Sequence, residues 1–284
     1  MSDETHAKSS NRPVQVIGVT SGKGGVGKTN LSVNLAVSLS QLGQRVLVID
    51  ADLGLANVDI LLDETPSATL HDVVTGRQSL DDVVMESSFG VSILPGASGI
   101  TEMVDLDVQQ RMRLLNAVDT LENKFDTLIV DTPAGIGSNA AFFASAVQEV
   151  LVVATPEPTS MTDAYAMIKV LNKTHGVERF GLVLNQVMSI GEAQDVYMRL
   201  NSITSRFLSV MVELHGWLPI DPSVRSAVMS QRPAVIQYPN SPYPVAVRKL
   251  AERLLMRPVQ GSEGRLQFFW NRLLGSAQAQ AGGA

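Results

Sequence analysis

The sequence predicts a three-layer α/β/α fold around a mostly parallel central sheet. Several apolar runs are continuous rather than alternating, as strands covered on both faces require. Strand-like runs alternate with segments whose apolar residues recur at helical spacing. The first two strands flank a glycine-rich loop and a helix, giving a βαβ unit with an expected right-handed crossover. With 284 residues, 45% of them apolar, the chain can build one large domain of this kind.

Val14 to Thr20 reads as a strand that ends directly at the glycine loop. Thr29 to Gln41 is expected to be helical, because Leu31, Leu35 and Leu39 share one face and Gly43 stops the run. Arg45 to Asp50 contains Val46-Leu47-Val48-Ile49, a buried parallel strand. Val91 to Leu94 gives a short strand, Val108 to Leu121 a helix, and Thr127 to Asp131 a strand closed by an acid. Val150 to Ala154 is the next strand, and Ser160 to Asn172 a helix with Ala164, Ile168 and Leu171 on one side. Gly181 to Asn185 resembles another central strand, followed by a helix over Asp195 to Val212. The domain is expected to span residues 14–256, after a flexible polar segment at 1–13. Residues 257–264 read as a linker, 265–274 as an amphipathic helix and 275–284 as a disordered tail.

Composition removes several classes of function. The absence of cysteine excludes disulfides, iron–sulfur clusters and thiolate zinc sites on this chain, and it suits a reducing compartment. A net charge of -6 disfavours a large nucleic-acid surface. Residues 1–13 are polar and carry no secretory signal. The most apolar stretch, Ala140 to Ala154, is cut by Gln148 and Glu149 and is too short to span a bilayer. A cytoplasmic protein is expected.

Gly22-Lys23-Gly24-Gly25-Val26-Gly27-Lys28-Thr29 has the spacing of a phosphate-binding loop. The backbone N–H groups of Gly24, Gly25, Val26, Gly27, Lys28 and Thr29 can converge on a β-phosphate, because glycine allows the tight path and keeps side chains out of the way. The helix that follows presents its unpaired N–H groups to the same anion. Lys28 suits the β- and γ-phosphates of ATP, and the Thr29 hydroxyl suits Mg2+. Asp50 and Asp52 stand at the end of one strand and Asp131 at the end of another, where open α/β sheets bind ligands. Asp50 and Asp131 suit the magnesium shell, and Asp52 suits the attacking water. Lys23 has no task in the ordinary loop. It can bind the same nucleotide, stay in solvent, or reach phosphates held by a second subunit.

The motifs GKGGVGKT (22–29), DADLGLANVD (50–59), DTPAGI (131–136), TPEPTS (155–160), VLNQ (183–186) and WLPIDPSVR (217–225) together resemble the MinD/ParA class of deviant-Walker ATPases. GLANVDILL (54–62), DAYAMIKVLNKTHG (163–176) and the GRLQFFWNRLL tail resemble its flagellar-number branch, FlhG/FleN. The resemblance runs from about Val14 to Arg272. It implies an ATP-dependent homodimer in which Lys23 reaches the partner's phosphates and Lys28 serves its own. It also implies Thr29, Asp50 and Asp131 around Mg2+, and Asp52 as the switch residue. Asn185 resembles an adenine-recognising residue assisted by backbone near Pro219, although a polar strand-end cap explains it equally from the residues alone. Glu157 resembles a partner-facing residue beside the nucleotide. Implied partners are a flagellar master transcription activator of the AAA+ type and the FlhF GTPase, although residues 1–13 carry no DQAxxLR-type activating motif. Direct DNA binding is not expected.

In the C-terminal segment, Leu266, Phe269, Trp270 and Leu273 fall at i, i+3, i+4 and i+7, with Arg265 and Arg272 beside them. That face suits the cytoplasmic membrane surface, and dimerisation would present two weak copies at once. A helix packed permanently on the domain is the alternative. Readings that compete for the whole chain are a MinD-type division ATPase, a ParA-type DNA-partitioning ATPase and a nucleotide-dependent binding module without turnover. An iron–sulfur carrier is set aside by the missing cysteines.

Overall fold

The computed structural model describes residues 14–52, 56–96, 109, 113, 117, 121 and 124–257. Among these, β1 (Gln15–Ser21) leads through the glycine loop to α1 (Lys28–Gln41) and β2 (Val46–Asp50). Three short helices follow, α2 (Val58–Leu61), α3 (Leu70–Val74) and α4 (Leu80–Val83), then strands β3 (Met85–Glu86) and β4 (Ser92–Leu94). The chain continues through β5 (Thr127–Ala134), α5 (Ser138–Ala146), β6 (Glu149–Ala154), α6 (Pro158–His175), β7 (Arg179–Val187) and α7 (Ile190–Phe207). It closes with β8 (Met211–Pro219), α8 (Pro222–Met229), α9 (Ala234–Gln237) and α10 (Pro242–Leu255).

The eight strands form one sheet in the order β3-β4-β2-β5-β1-β6-β7-β8. Every pairing is parallel except the antiparallel β3–β4 edge. Side chains alternate across the pleat, so each strand feeds two cores. Val16, Leu128, Val130 and Val152 pack on one face with Phe142 and Phe143 of α5 and Met167 and Ile168 of α6. Ile17, Val19, Ile129 and Val153 pack on the other with Leu31, Leu35 and Leu39 of α1 and Val247 and Leu250 of α10. The expected α/β/α layering is therefore observed.

Sequence signals set the helix ends. Pro158 opens α6, where a missing N–H costs nothing, and Gly176 closes it in the left-handed region at φ 69°. Ser189 and Asp221 cap α7 and α8 by accepting from the N–H groups of Glu192 and Ser223.

Two expectations need correction. The strand expected to close at Asp131 runs on to Ala134 as β5, so Asp131 lies within it. The helix expected over Asp195 to Val212 runs instead from Ile190 to Phe207, and Met211 and Val212 open β8, pairing with Arg179 and Phe180. This strand escapes a search for continuous apolar runs because it is the sheet edge and alternates exposed and buried residues. Most of the helix expected at 108–121 lies outside the described residues. Those at 109, 113 and 117 are helical.

Side chains seal the β8 edge. Tyr197 Oη donates to the Val212 carbonyl at 3.2 Å, and Arg253 Nη1 donates to those of His215 (2.6 Å) and Leu214 (3.4 Å). Arg257, the last residue described, grips Glu213 through two 2.9 Å bonds and Glu149 at 3.3 Å. Glu149 starts β6 and Glu213 lies near the start of β8, so the chain leaves at the sheet end opposite the glycine loop.

Candidate nucleotide site

The glycine loop follows the carboxyl end of β1 and wraps over the start of α1. At Gly22 a Cβ would lie 2.0 Å from the backbone oxygen of Asp163 in α6, so only glycine passes under that helix. Gly25 (φ 81°) and Gly27 (φ 88°) take the left-handed conformation that turns the loop back on itself. Gly27 occupies the N-cap position of α1 without a side-chain cap, which leaves first-turn N–H groups for an anion.

Behind the loop, Asp131 collects three donors. Lys28 Nζ lies 2.9 Å and Ser32 Oγ 2.7 Å from its Oδ1, while Thr29 Oγ1 lies 2.8 Å from Oδ2. The lysine and the carboxylate are 7% and 1% exposed, so this is a buried ion pair with two supporting hydroxyls. The structure thus brings together Lys28, Thr29 and Asp131, and adds Ser32, which sequence reasoning missed. Its signal was available. Ser32 follows Lys28 by four residues and Thr29 by three, on the same helical face.

Asp50 pairs with Asp131 across neighbouring strands. Its carboxylate accepts from the backbone N–H groups of Asp52 (3.1 Å), Asn57 (3.0 Å) and Val58 (3.1 Å). Burial, followed by the Asp131 charge, raises its pKa to about 7 against the pull of those three bonds. Because the folded value lies above the ordinary 3.8, the folded state holds the extra proton between these values. The contribution of Asp50 to stability is complete below 3.8 and is lost as pH rises through about 7. The loss is on the order of 4 kcal/mol as an upper bound. Denaturant titrations of the nucleotide-free protein at about pH 5 and about pH 8 should show wild type losing stability relative to Asp50→Asn. Parallel pH dependence of the two proteins would remove this assignment.

Asp52 is half-buried, and its backbone N–H supports Asp50. Residues 53–55, which follow it, lie outside the described set. Lys23 Nζ rests 2.6 Å from Glu157 Oε2 and 3.1 Å from Thr159 Oγ1, both at the start of α6. In this single chain the extra lysine is therefore engaged within its own subunit, and Glu157, expected to face a partner, is its counter-ion. Asn185 near the end of β7 is 6% exposed and contacts the loop itself. Pro219 ends β8 opposite Val187 of β7. Leu266, Phe269, Trp270 and Leu273 lie outside the described residues.

The donor set fits magnesium–ATP: a glycine cradle with outward N–H groups, a lysine and a hydroxyl at the start of α1, and two buried carboxylates behind them. A parallel sheet carrying this loop defines a P-loop nucleoside triphosphatase. Residues 13–255 match the ParA family model, described as NUBPL iron-transfer P-loop NTPase. The antiactivator FleN of Pseudomonas aeruginosa is 48% identical over 263 residues, 92% of this chain and 94% of that protein. The flagellum site-determining protein YlxH of Helicobacter pylori is 35% identical, covering 70% of this chain and 67% of that one. MinD of Pyrococcus horikoshii, solved as its Mg-ADP complex, shares 32% identity at a TM-score of 0.68, covering 85% of this chain and 96% of that one. The chain belongs to the MinD/ParA family of P-loop ATPases, and its cofactors are ATP and Mg2+. Without cysteine, it has no thiolate with which to carry an iron–sulfur cluster.

Proposed function

We propose that this chain is an ATP-dependent dimerising switch that limits flagellar number and flagellar gene expression through protein partners. The near full-length likeness to the antiactivator FleN carries the reading, and the flagellum site-determining relative points the same way. A homodimeric nucleotide sandwich is typical of the family.

Lys28 would turn from Asp131 to the β- and γ-phosphates, and the Thr29 hydroxyl would serve Mg2+. Mg2+, when bound, supplies positive charge against the phosphate oxygens. Asp50 at the end of β2 and Asp131 beside it within β5 would support it, and Asp52 would orient the attacking water. Asn185 and backbone near Pro219 face the adenine. Lys23 exchanges its Glu157 and Thr159 contacts for the phosphates of the partner subunit, which ties hydrolysis to dimerisation.

Among the described residues no helix is long and apolar enough to cross a membrane. We assign peripheral contact with the inner face of the cell membrane, including the cell pole, to residues 265–274. Two copies in the dimer act together by avidity. The proposed partners are an AAA+ flagellar transcription activator and the FlhF GTPase.

The decisive experiment counts flagella per cell in a strain lacking this protein, complemented with wild type or Lys28→Ala. Extra flagella rescued by wild type alone are expected; an unchanged count in the deletion strain rejects the reading. In vitro, Lys23→Ala should keep monomeric ATP binding but lose at least tenfold in ATP-dependent dimer formation and turnover. Removal of residues 265–284 should abolish liposome co-sedimentation while dimers persist in light scattering. Equal loss of binding, dimerisation and turnover in Lys23→Ala would dismiss its reach across the interface.

A further inference from the structure

Asn185 does more at this site than face a base. Its Nδ2 donates to the carbonyl of Val26, inside the glycine loop, at 2.8 Å. Its Oδ1 accepts from the N–H of Gln186 at 2.9 Å. The reversed amide would set oxygen against the Val26 carbonyl and N–H against N–H, so only one orientation satisfies both neighbours. A Cβ on Gly27 would lie 2.4 Å from Asn185 Nδ2, so the amide sits directly against the loop at its left-handed turn. The next residue, Gln186, holds φ 58°, a conformation rare for a side chain of its type, and the Oδ1 bond fixes its N–H there.

We infer that Asn185 is a positioning residue for the phosphate loop: its amide braces the Val26–Gly27 turn from the end of β7. The brace orients the loop N–H groups toward phosphate before any nucleotide arrives. A primary amide has a second N–H and a second acceptor lone pair, so bracing and base recognition are compatible on one side chain. The inference rests on the reading that this loop holds nucleotide phosphates. It extends that reading by making phosphate affinity, and not only base selectivity, depend on Asn185.

The test separates phosphate from base. Wild type, Asn185→Ala and Asn185→Asp compete a fluorescent ADP analogue with ADP, GDP and base-free tripolyphosphate, each with Mg2+. Asn185→Asp keeps the volume and the acceptor for Gln186 but turns an acceptor toward the Val26 carbonyl. It therefore tests the brace even if the alanine variant folds poorly. Loss of one buried hydrogen bond predicts a fall of about threefold to tenfold in affinity for all three competitors in Asn185→Ala, and a larger fall in Asn185→Asp. Hydrogen exchange of residues 22–31 in the nucleotide-free variants should accelerate while exchange in the distant strands stays as in wild type. Tripolyphosphate affinity equal to wild type, with only ADP weakened, would overturn the inference in favour of base recognition alone. Uniformly faster exchange throughout the protein would overturn it in favour of a purely structural role. If wild type bound neither ADP nor tripolyphosphate, the underlying phosphate reading would fail instead.

Discussion

Replacing Lys28 by alanine is expected to lower ATP turnover by about a thousandfold and to destabilise the nucleotide-free fold by about 3 kcal/mol. The first effect follows from the role proposed above for Lys28, the cation that meets the transferring phosphate. The second is independent of nucleotide. Lys28 Nζ stands 2.9 Å from Asp131 Oδ1, with both groups almost fully buried, so removing the cation leaves a carboxylate without its counter-ion. Ser32 and Thr29 still donate to that carboxylate, which holds the cost near the lower end for a broken buried pair. Steady-state turnover with magnesium–ATP and denaturant unfolding without nucleotide measure the two effects separately. A double variant, Lys28→Met with Asp131→Asn, should recover most of the stability and none of the turnover. Undiminished stability in Lys28→Ala would mean that the pair contributes nothing to the resting fold.

Gly22→Ala should be comparably damaging, by a steric route. The added methyl would meet Asp163 backbone atoms at 2.0 Å and 2.2 Å, and backbone cannot swing aside as a flexible side chain can. Either α6 or the loop must shift. We expect a stability loss of about 3 kcal/mol, typical of a forced backbone displacement, and at least a tenfold fall in turnover because the loop loses its alignment. Gly24→Ala is the internal control for folding, since its nearest neighbour would be the Ala134 Cβ at 4.0 Å. Thermal melting of both variants checks the contrast, and equal melting temperatures would contradict the packing described for Gly22.

The phosphate loop was legible because its chemistry depends on consecutive backbone atoms, which spacing alone defines. Asp50 and Asp131 were legible because each follows a continuous apolar run, although β5 carries on past Asp131 to Ala134. The three donors on Asp131 were less so: they join α1 to β5 across about a hundred residues, and only the helical register of Ser32 hinted at the third. The Lys23–Glu157 contact spans 134 residues and depends on how α6 is laid over the loop. For Asn185 the residues left a base reader and a strand-end cap equally open, and its bond to Val26 adds a contact to the loop that neither reading contained. The last third of the domain was the least legible. An edge strand lacks the doubly buried pattern, so β8 gave no continuous apolar run from which it and the helices after it could be inferred.

The covered rim of the sheet has a consequence for how copies of this protein can meet. Its terminal strands offer no long free ladder: β3 has two residues, and on β8 the carbonyls of Val212, Leu214 and His215 are already claimed. Among the described residues, growth by strand addition, the route to fibrils and irreversible clumps, therefore finds little template at either border. Copies that meet are left to side chains and shared nucleotide, the kind of contact that a homodimeric nucleotide sandwich uses.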